Sequence, residues 1–211
     1  MPHAAPSASL CGVILAGGRG ARMGGDKHLA LLEGKPLLRH VMERMSPQVA
    51  HLAIAGDHSS LQQYGVPVLP DAVGLKGPVA GLHSALLFAL ERNAGLITVP
   101  CDTPFLPRRL AAMFDGTRIA IPRIDGQALW VVSYWPLSQL QVGLRYLNAL
   151  AKDAAPTLRQ VYIALDAAQM PVPAQQKECF IGINTPEALS KAAAQLKRPE
   201  RAHRKPMGMK E

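Results

Sequence analysis

An apolar run at residues 11–16, Cys-Gly-Val-Ile-Leu-Ala, passes without a break into Gly17-Gly18-Arg19-Gly20-Ala21-Arg22-Met23-Gly24-Gly25-Asp26-Lys27. A short apolar run that stops at glycines reads as a buried strand feeding a turn. The pattern that follows repeats the unit. Residues 36–45 place Leu37, Leu38, Val41, Met42 and Met45 at three- and four-residue spacings, with Pro36 suited to a first helical turn. Strand-like segments come next at 51–55 and 66–69, then a strong helical pattern at 78–92 with Val79, Leu82, Leu86 and Leu90 on one face. A strand at 95–99 runs into Pro100-Cys101-Asp102-Thr103-Pro104. Beyond it, helices are expected at 107–114, 137–150 and 186–196, and strands at 118–121 and 128–135. This order predicts an α/β sandwich with a mostly parallel central sheet, in a single domain spanning residues 10–196.

Composition removes several other classes. The chain has 211 residues, 48% of them hydrophobic, which suffices for one substantial core. Its net charge of +8 is half concentrated in residues 197–211, where Lys197, Arg198, Arg201, Arg204, Lys205 and Lys210 face only Glu200 and Glu211. That segment and residues 1–9 are expected to be disordered tails, being poor in residues that could bury apolar surface. No aromatic residue interleaves with the tail's charges, so no nucleic-acid partner is expected. Cys11, Cys101 and Cys179 form no Cys-x-x-Cys pair, in keeping with a reducing, cytoplasmic setting. No apolar run reaches the length of a membrane span, the start lacks the regions of a signal peptide, and no repeat is visible. A soluble monomer without a membrane partner is the expectation.

In open parallel sheets ligands sit beyond the carboxyl ends of the strands, and two segments fall there. Five glycines within residues 15–27 let the backbone curl and bring its N–H groups to an anion, with Arg19, Arg22 and Lys27 supplying positive charge. Phosphate is the obvious anion. Asp26 separates Gly25 from Lys27, unlike a P-loop, and Met23 stands where a dinucleotide-binding turn needs glycine. A solvated surface loop is the plain alternative. In the second segment Asp102 follows a strand and is held between Pro100 and Pro104, a place from which it could coordinate Mg²⁺. It could equally cap a helix starting near Pro107. Asp71 also follows a strand, as a turn former or as a ligand of a ribose hydroxyl or metal.

Taken in order, Leu15-Ala16-Gly17-Gly18, Arg22-Met23-Gly24-Gly25-Asp26-Lys27, Gly77-Pro78-Val79-Ala80-Gly81, Pro100-Cys101-Asp102-Thr103-Pro104 and Asn184-Thr185-Pro186-Glu187 resemble the motifs of molybdenum cofactor guanylyltransferases, over about residues 12–196. The resemblance implies a Rossmann-like three-layer sandwich of the nucleotide-diphospho-sugar transferase type. It implies GTP and molybdopterin as substrates, Mg²⁺ as cofactor, and molybdopterin guanine dinucleotide and pyrophosphate as products, with molybdoenzyme-maturation proteins as candidate partners. It assigns Leu15, Ala16, Gly17 and Gly18 to the nucleotide together with Lys27 and Asp71, assigns Asp102 to both nucleotide and metal, and lifts Asn184 toward the acceptor. Gly17 favours guanine, because related cytidylyltransferases read Leu-Ala-Ala-Gly there. The expected chemistry is in-line attack of the acceptor phosphate on the α-phosphorus, with Asp102, Lys27 and Arg22 as the catalytic set.

The chain departs from that pattern at three places. Ala55 stands where Asn is frequent, Gly182 replaces the first Asn of Asn-x-Asn-Thr-Pro, and Ala128 replaces a Pro before Leu129. These keep two alternatives open: transfer of CMP or another nucleotide to a different phosphorylated acceptor, and a non-catalytic GTP-binding homologue. The seven histidines show no metal-ligand spacing, and Trp130, Tyr134 and Trp135 are expected to pack in the core rather than stack on a pterin.

Overall fold

A computed structural model describes residues 9–17, 29–150 and 155–196. Arg19, Arg22 and Lys27 with the rest of the phosphate loop from Gly18 to His28, and residues 1–8 and 197–211 of the expected tails, lie outside the described residues. The strands are β1 (Leu10–Leu15), β2 (Leu31–Leu32), β3 (Lys35–Pro36), β4 (His51–Ala55), β5 (Val68–Leu69), β6 (Gly95–Pro100), β7 (Ala120–Ile124), β8 (Gln127–Ala128), β9 (Ser133–Trp135) and β10 (Ala168–Pro171). The helices are α1 (Leu37–Met45), α2 (Pro78–Glu91), α3 (Leu137–Leu150), α4 (Leu158–Ala164) and α5 (Pro186–Leu196).

The main sheet runs β10-β7-β9-β6-β1-β4-β5, with β8 paired to β7. Strands β6, β1, β4 and β5 are mutually parallel, as is the β7–β10 pair, while β9 lies antiparallel between β6 and β7. Side-chain alternation on the central strands explains the three layers. Cys11, Val13 and Leu15 of β1, with Ala53 and Ala55 of β4, join a core that includes α2, α3 and α4. Ile14 and Ala16, Ile54, Ile97 and Val99 face the opposite core with α1. A strand covered on both faces must be apolar throughout, which is why β1 reads as a continuous apolar run. Each fully buried Leu, Ile or Val there contributes roughly 1.5–3 kcal/mol of transfer free energy. The described residues contain no helix long and apolar enough to cross a membrane.

Two expected elements form differently. Residues 107–114 make only a 3-10 turn at Ala111–Met113. Gln48 accounts for it: its Nε2 donates to the Pro107 carbonyl at 3.0 Å and its Oε1 accepts the Ala111 amide at 3.1 Å, occupying groups that an α-helix would pair with each other. Residues 128–135 are not one strand but β8 and β9, separated by a turn in which the Val132 amide donates to the Leu129 carbonyl at 3.0 Å. That turn brings Ser133 opposite Thr98 on β6, where their hydroxyls pair at 2.7 Å and the Trp135 indole donates to Ser133 Oγ at 3.0 Å. Trp135 is fully buried and Tyr134 stacks on Phe114, so both are packing residues as expected. The β2–β3 hairpin, α4 and β10 were not anticipated.

Candidate nucleotide site

The parallel strands end in register. Leu15 of β1 pairs with Ala55 of β4 and with Pro100 of β6, and Ala55 pairs with Leu69 of β5. The residues that follow each strand therefore share one edge of the sheet: Ala16-Gly17, Gly56-Asp57, Pro70-Asp71 and Cys101-Asp102. Backbone bonds extend the ladder past the strand ends, from the Ala16 amide to the Ala55 carbonyl at 2.8 Å, from Gly56 to Leu69 at 2.9 Å and from Cys101 to Leu15 at 3.3 Å. The side chains of Leu15 and Ala16 are buried in opposite cores. What those two residues can offer a ligand is main chain.

Asp71 is the most informative side chain on this edge. Its Oδ1 is buried and, among the described residues, has no hydrogen-bond partner. A Cβ on Gly17 would lie 3.4 Å from Asp71 Oδ2, and one on Gly81 of α2 would lie 3.6 Å from Oδ1. The carboxylate thus sits between two glycines, one at the end of β1 and one in the first turns of α2. Burial, and after it the charge of Asp57, push the Asp71 carboxyl above its usual range. An acceptor left unpaired in this way costs roughly 1–3 kcal/mol, which a ligand donor would recover. Gly77, in the left-handed region at φ 61°, turns the chain into α2 at the same edge, with Pro78 in the first turn.

At the end of β6, Asp102 is anchored by its own backbone, whose carbonyl accepts the Ile183 amide at 2.8 Å. That bond draws the segment before α5 alongside the strand end. A Cβ on Gly182 would lie 3.3 Å from Asp102 Oδ1 and 3.1 Å from Asn184 Nδ2, so Gly182 is where the carboxylate and the Asn184 amide come together. Asp102 does not cap a helix at Pro107, because no α-helix forms there. The cap of α5 is Thr185, whose Oγ1 accepts the Ala188 amide at 3.2 Å, so the cap expected of Asn184 or Thr185 falls to Thr185. Among the described residues no three His, Cys, Asp or Glu side chains cluster as a metal cage. A single strand-end carboxylate nevertheless suits Mg²⁺, which commonly takes one or two protein carboxylates and completes its shell with water and substrate phosphate.

The structure thus brings Leu15, Ala16, Gly17 and Asp71 together, and separately places Asp102 and Asn184 beside Gly182 on the same edge. Ala55 is fully buried, and its Cβ faces Gly81 at 3.4 Å from where a side chain there would begin, so position 55 packs under α2. Sequence reasoning missed Asp57, whose Oδ1 accepts the Asp71 amide at 2.9 Å. The signal was available, since an acid directly after an apolar strand is what drew attention to Asp71 and Asp102.

Parallel strands ending in glycines and carboxylates along one edge, under a helix that starts at a glycine, define the class: an α/β fold of the nucleotidyltransferase type. Residues 12–196 match the family described as the MobA-like NTP transferase domain, and the chain belongs to that family. A molybdenum cofactor guanylyltransferase of Rhizobium leguminosarum bv. trifolii is 35% identical over 196 residues, covering 87% of this chain and 91% of the relative. One from Ralstonia nicotianae is 43% identical over 129 residues, 56% of this chain and 61% of the relative. The crystal structure of molybdopterin-guanine dinucleotide biosynthesis protein A from Archaeoglobus fulgidus shares the fold, with a TM-score of 0.71 at 23% identity over 89% of this chain and 98% of that one.

Proposed function

We propose that this chain transfers GMP from GTP to the terminal phosphate of molybdopterin, releasing pyrophosphate and forming molybdopterin guanine dinucleotide. The observation that carries the nucleotide half is the unpartnered Asp71 Oδ1 held between Gly17 and Gly81. Guanine and ribose both present N–H or O–H donors that such an oxygen can accept. The pterin half rests on the names of the relatives, joined to the placement of Asp102 and Asn184 on either side of Gly182, ahead of α5.

The acceptor's phosphate oxygen attacks the α-phosphorus, the new P–O bond forms as the bond to the β-phosphate breaks, and pyrophosphate leaves. No protein nucleophile is needed, so the chain's work is positioning and charge stabilisation. Asp71 and the main chain of residues 15–17 orient the nucleotide. Asp102 would hold Mg²⁺, which supplies Lewis-acid neutralisation of phosphate charge. Asn184, next to Gly182, is assigned to the acceptor side. Arg22 and Lys27 are assigned to the departing pyrophosphate on sequence grounds.

Binding selectivity tests this reading. Calorimetric titration of the purified chain with GTP, CTP, ATP and UTP in the presence of Mg²⁺ is expected to show GTP the tightest. Preference for CTP would keep the fold and reject the guanine assignment.

A further inference from the structure

Asp57 has no part in the roles assigned above, yet it touches the residue that carries them. We infer that Asp57 is a positioning residue of the nucleotide site, its carboxylate clamping the turn after β5 so that Asp71 presents its free oxygen to the ligand. The inference rests on the nucleotide reading of this edge.

The turn is fixed from three directions. The Leu69 carbonyl accepts the Gly56 amide at 2.9 Å, the Pro70 carbonyl accepts the Ser84 hydroxyl of α2 at 2.6 Å, and the Asp71 amide donates to Asp57 Oδ1 at 2.9 Å. Pro70 has no N–H and a restricted φ, so the amide of Asp71 is the turn's remaining donor before the side chain itself. With that amide held by Asp57, the Asp71 carboxylate is directed toward Gly17 and Gly81. Gly56 makes the clamp possible. A Cβ there would lie 3.3 Å from the Gly17 nitrogen and 3.1 Å from Leu61, so the chain leaving β4 passes close against the end of β1 before it reaches Asp57.

A neutral acceptor at position 57 would satisfy the Asp71 amide equally well. The carboxylate adds a second negative charge beside a carboxylate that is already desolvated, an arrangement unfavourable to the fold by itself. Such unfavourable charge placement is characteristic of functional sites. Among the described residues, the other groups facing the Asp71 turn are Gly17, just past β1, and Gly81 and Ser84 of α2, none of them charged. Among the described residues, Asp57 is the charged group that raises the Asp71 pKa, behind burial itself. Its negative charge also attracts the N–H or O–H donors of a ligand to the Asp71 side of the pocket.

The test compares the full-length chain with Asp57→Asn and Asp57→Ala, by GTP calorimetry from acidic to neutral pH and by thermal melting. Asp57→Ala is expected to weaken GTP binding about tenfold at neutral pH, one lost hydrogen bond's worth of orientation. Asp57→Asn keeps the acceptor and should recover most of that affinity. It should also move the acid limb of the affinity profile to lower pH than in the wild type, because Asp71 loses its negative neighbour. A turn residue with a merely structural role would move the melting temperature and leave that limb in place. Wild-type affinity and pH profile in both folded variants, or an Asn variant as weak as the Ala one, would overturn the inference while leaving the nucleotide site standing. Should the Ala variant fail to fold, the acid limb of the Asn variant decides alone. A wild-type chain that binds no GTP would overturn both the inference and the nucleotide reading.

Discussion

Asp102 and Gly17 separate the two kinds of work done at the sheet edge. Asp102 is held by its backbone bond to Ile183, which a side-chain replacement leaves in place while it removes the charge and the contact in which Thr103 Oγ1 donates to Asp102 Oδ1 at 3.4 Å. Asp102→Ala is therefore expected to reduce turnover by at least roughly 10²-fold, as for loss of one preorganised charge-stabilising group, while the melting temperature stays near wild type. Undiminished Mg²⁺-dependent turnover in the folded variant would remove Asp102 from the chemistry. Gly17 is not held at positive φ, and a Cβ there meets Asp71 Oδ2 at 3.4 Å, which is contact without overlap. Gly17→Ala should fold with stability within about 0.5 kcal/mol of wild type. Its methyl would cover the carboxylate edge and weaken GTP binding roughly tenfold. A variant that bound GTP unchanged would show that base or ribose does not approach Asp71 over residue 17.

The elements show how far apolar patterning carries and where it stops. α1, α2, α3 and α5 fall within one residue of the expected bounds, because each has an apolar stripe to bury, α1, α2 and α3 in the two main cores and α5 in a smaller cluster with Leu32, Leu37, Phe105 and Ile183. The central strands were equally legible, being buried on both sides. Segments stabilised by single long-range polar contacts were not. Gln48 reaches across to residues 107–111 and turns an expected helix into a 3-10 turn, and no local pattern announces a partner so distant in sequence. The break that splits the expected strand 128–135 into β8 and β9 was hidden, because the place where β9 begins is set by the Thr98–Ser133 contact, visible only after folding. α4 could have been found: Thr157 and Gln160 form a capping box, and that spacing is a local signature. Of the site, the strand-end carboxylates and glycines were legible, while the clamp between Asp57 and Asp71 needed the parallel register of β4 and β5. At this scale the tightest packing is at Gly143 of α3, where a Cβ would lie 2.5 Å from the buried Trp135 ring and 3.2 Å from Leu86 of α2. Gly143→Ala is expected to destabilise by about 1–3 kcal/mol, the overlap outweighing the gain in helix propensity. Chemical denaturation showing equal or greater stability would mean that α2, α3 and β9 pack less closely than described.

Across the whole molecule, stability and ligand binding are set against each other at Asp71. Burial first, and the charge of Asp57 second, raise its pKa in the folded chain. The folded state therefore holds that proton more tightly than the unfolded chain does. The carboxyl's favourable contribution is present below its unfolded pKa and is lost as pH rises through the folded value. At neutral pH the ionised, unpartnered group destabilises the fold. Asp71→Asn should accordingly raise the melting temperature at neutral pH, with the difference shrinking in acid, while it weakens GTP binding. A lower melting temperature at neutral pH would show that the ionised carboxylate is satisfied within the protein and is not kept for a ligand. The same logic extends to the edge as a whole, where glycines, an oxygen unpaired among the described residues and adjacent carboxylates contribute little to folding, as the proposed nucleotide site requires. The most direct test of that account is pyrophosphate release by the purified chain with molybdopterin and Mg²⁺, comparing GTP with CTP, ATP and UTP. Release that requires the pterin and is fastest with GTP is the predicted result, whereas a chain that binds GTP but releases no pyrophosphate with molybdopterin would contradict it.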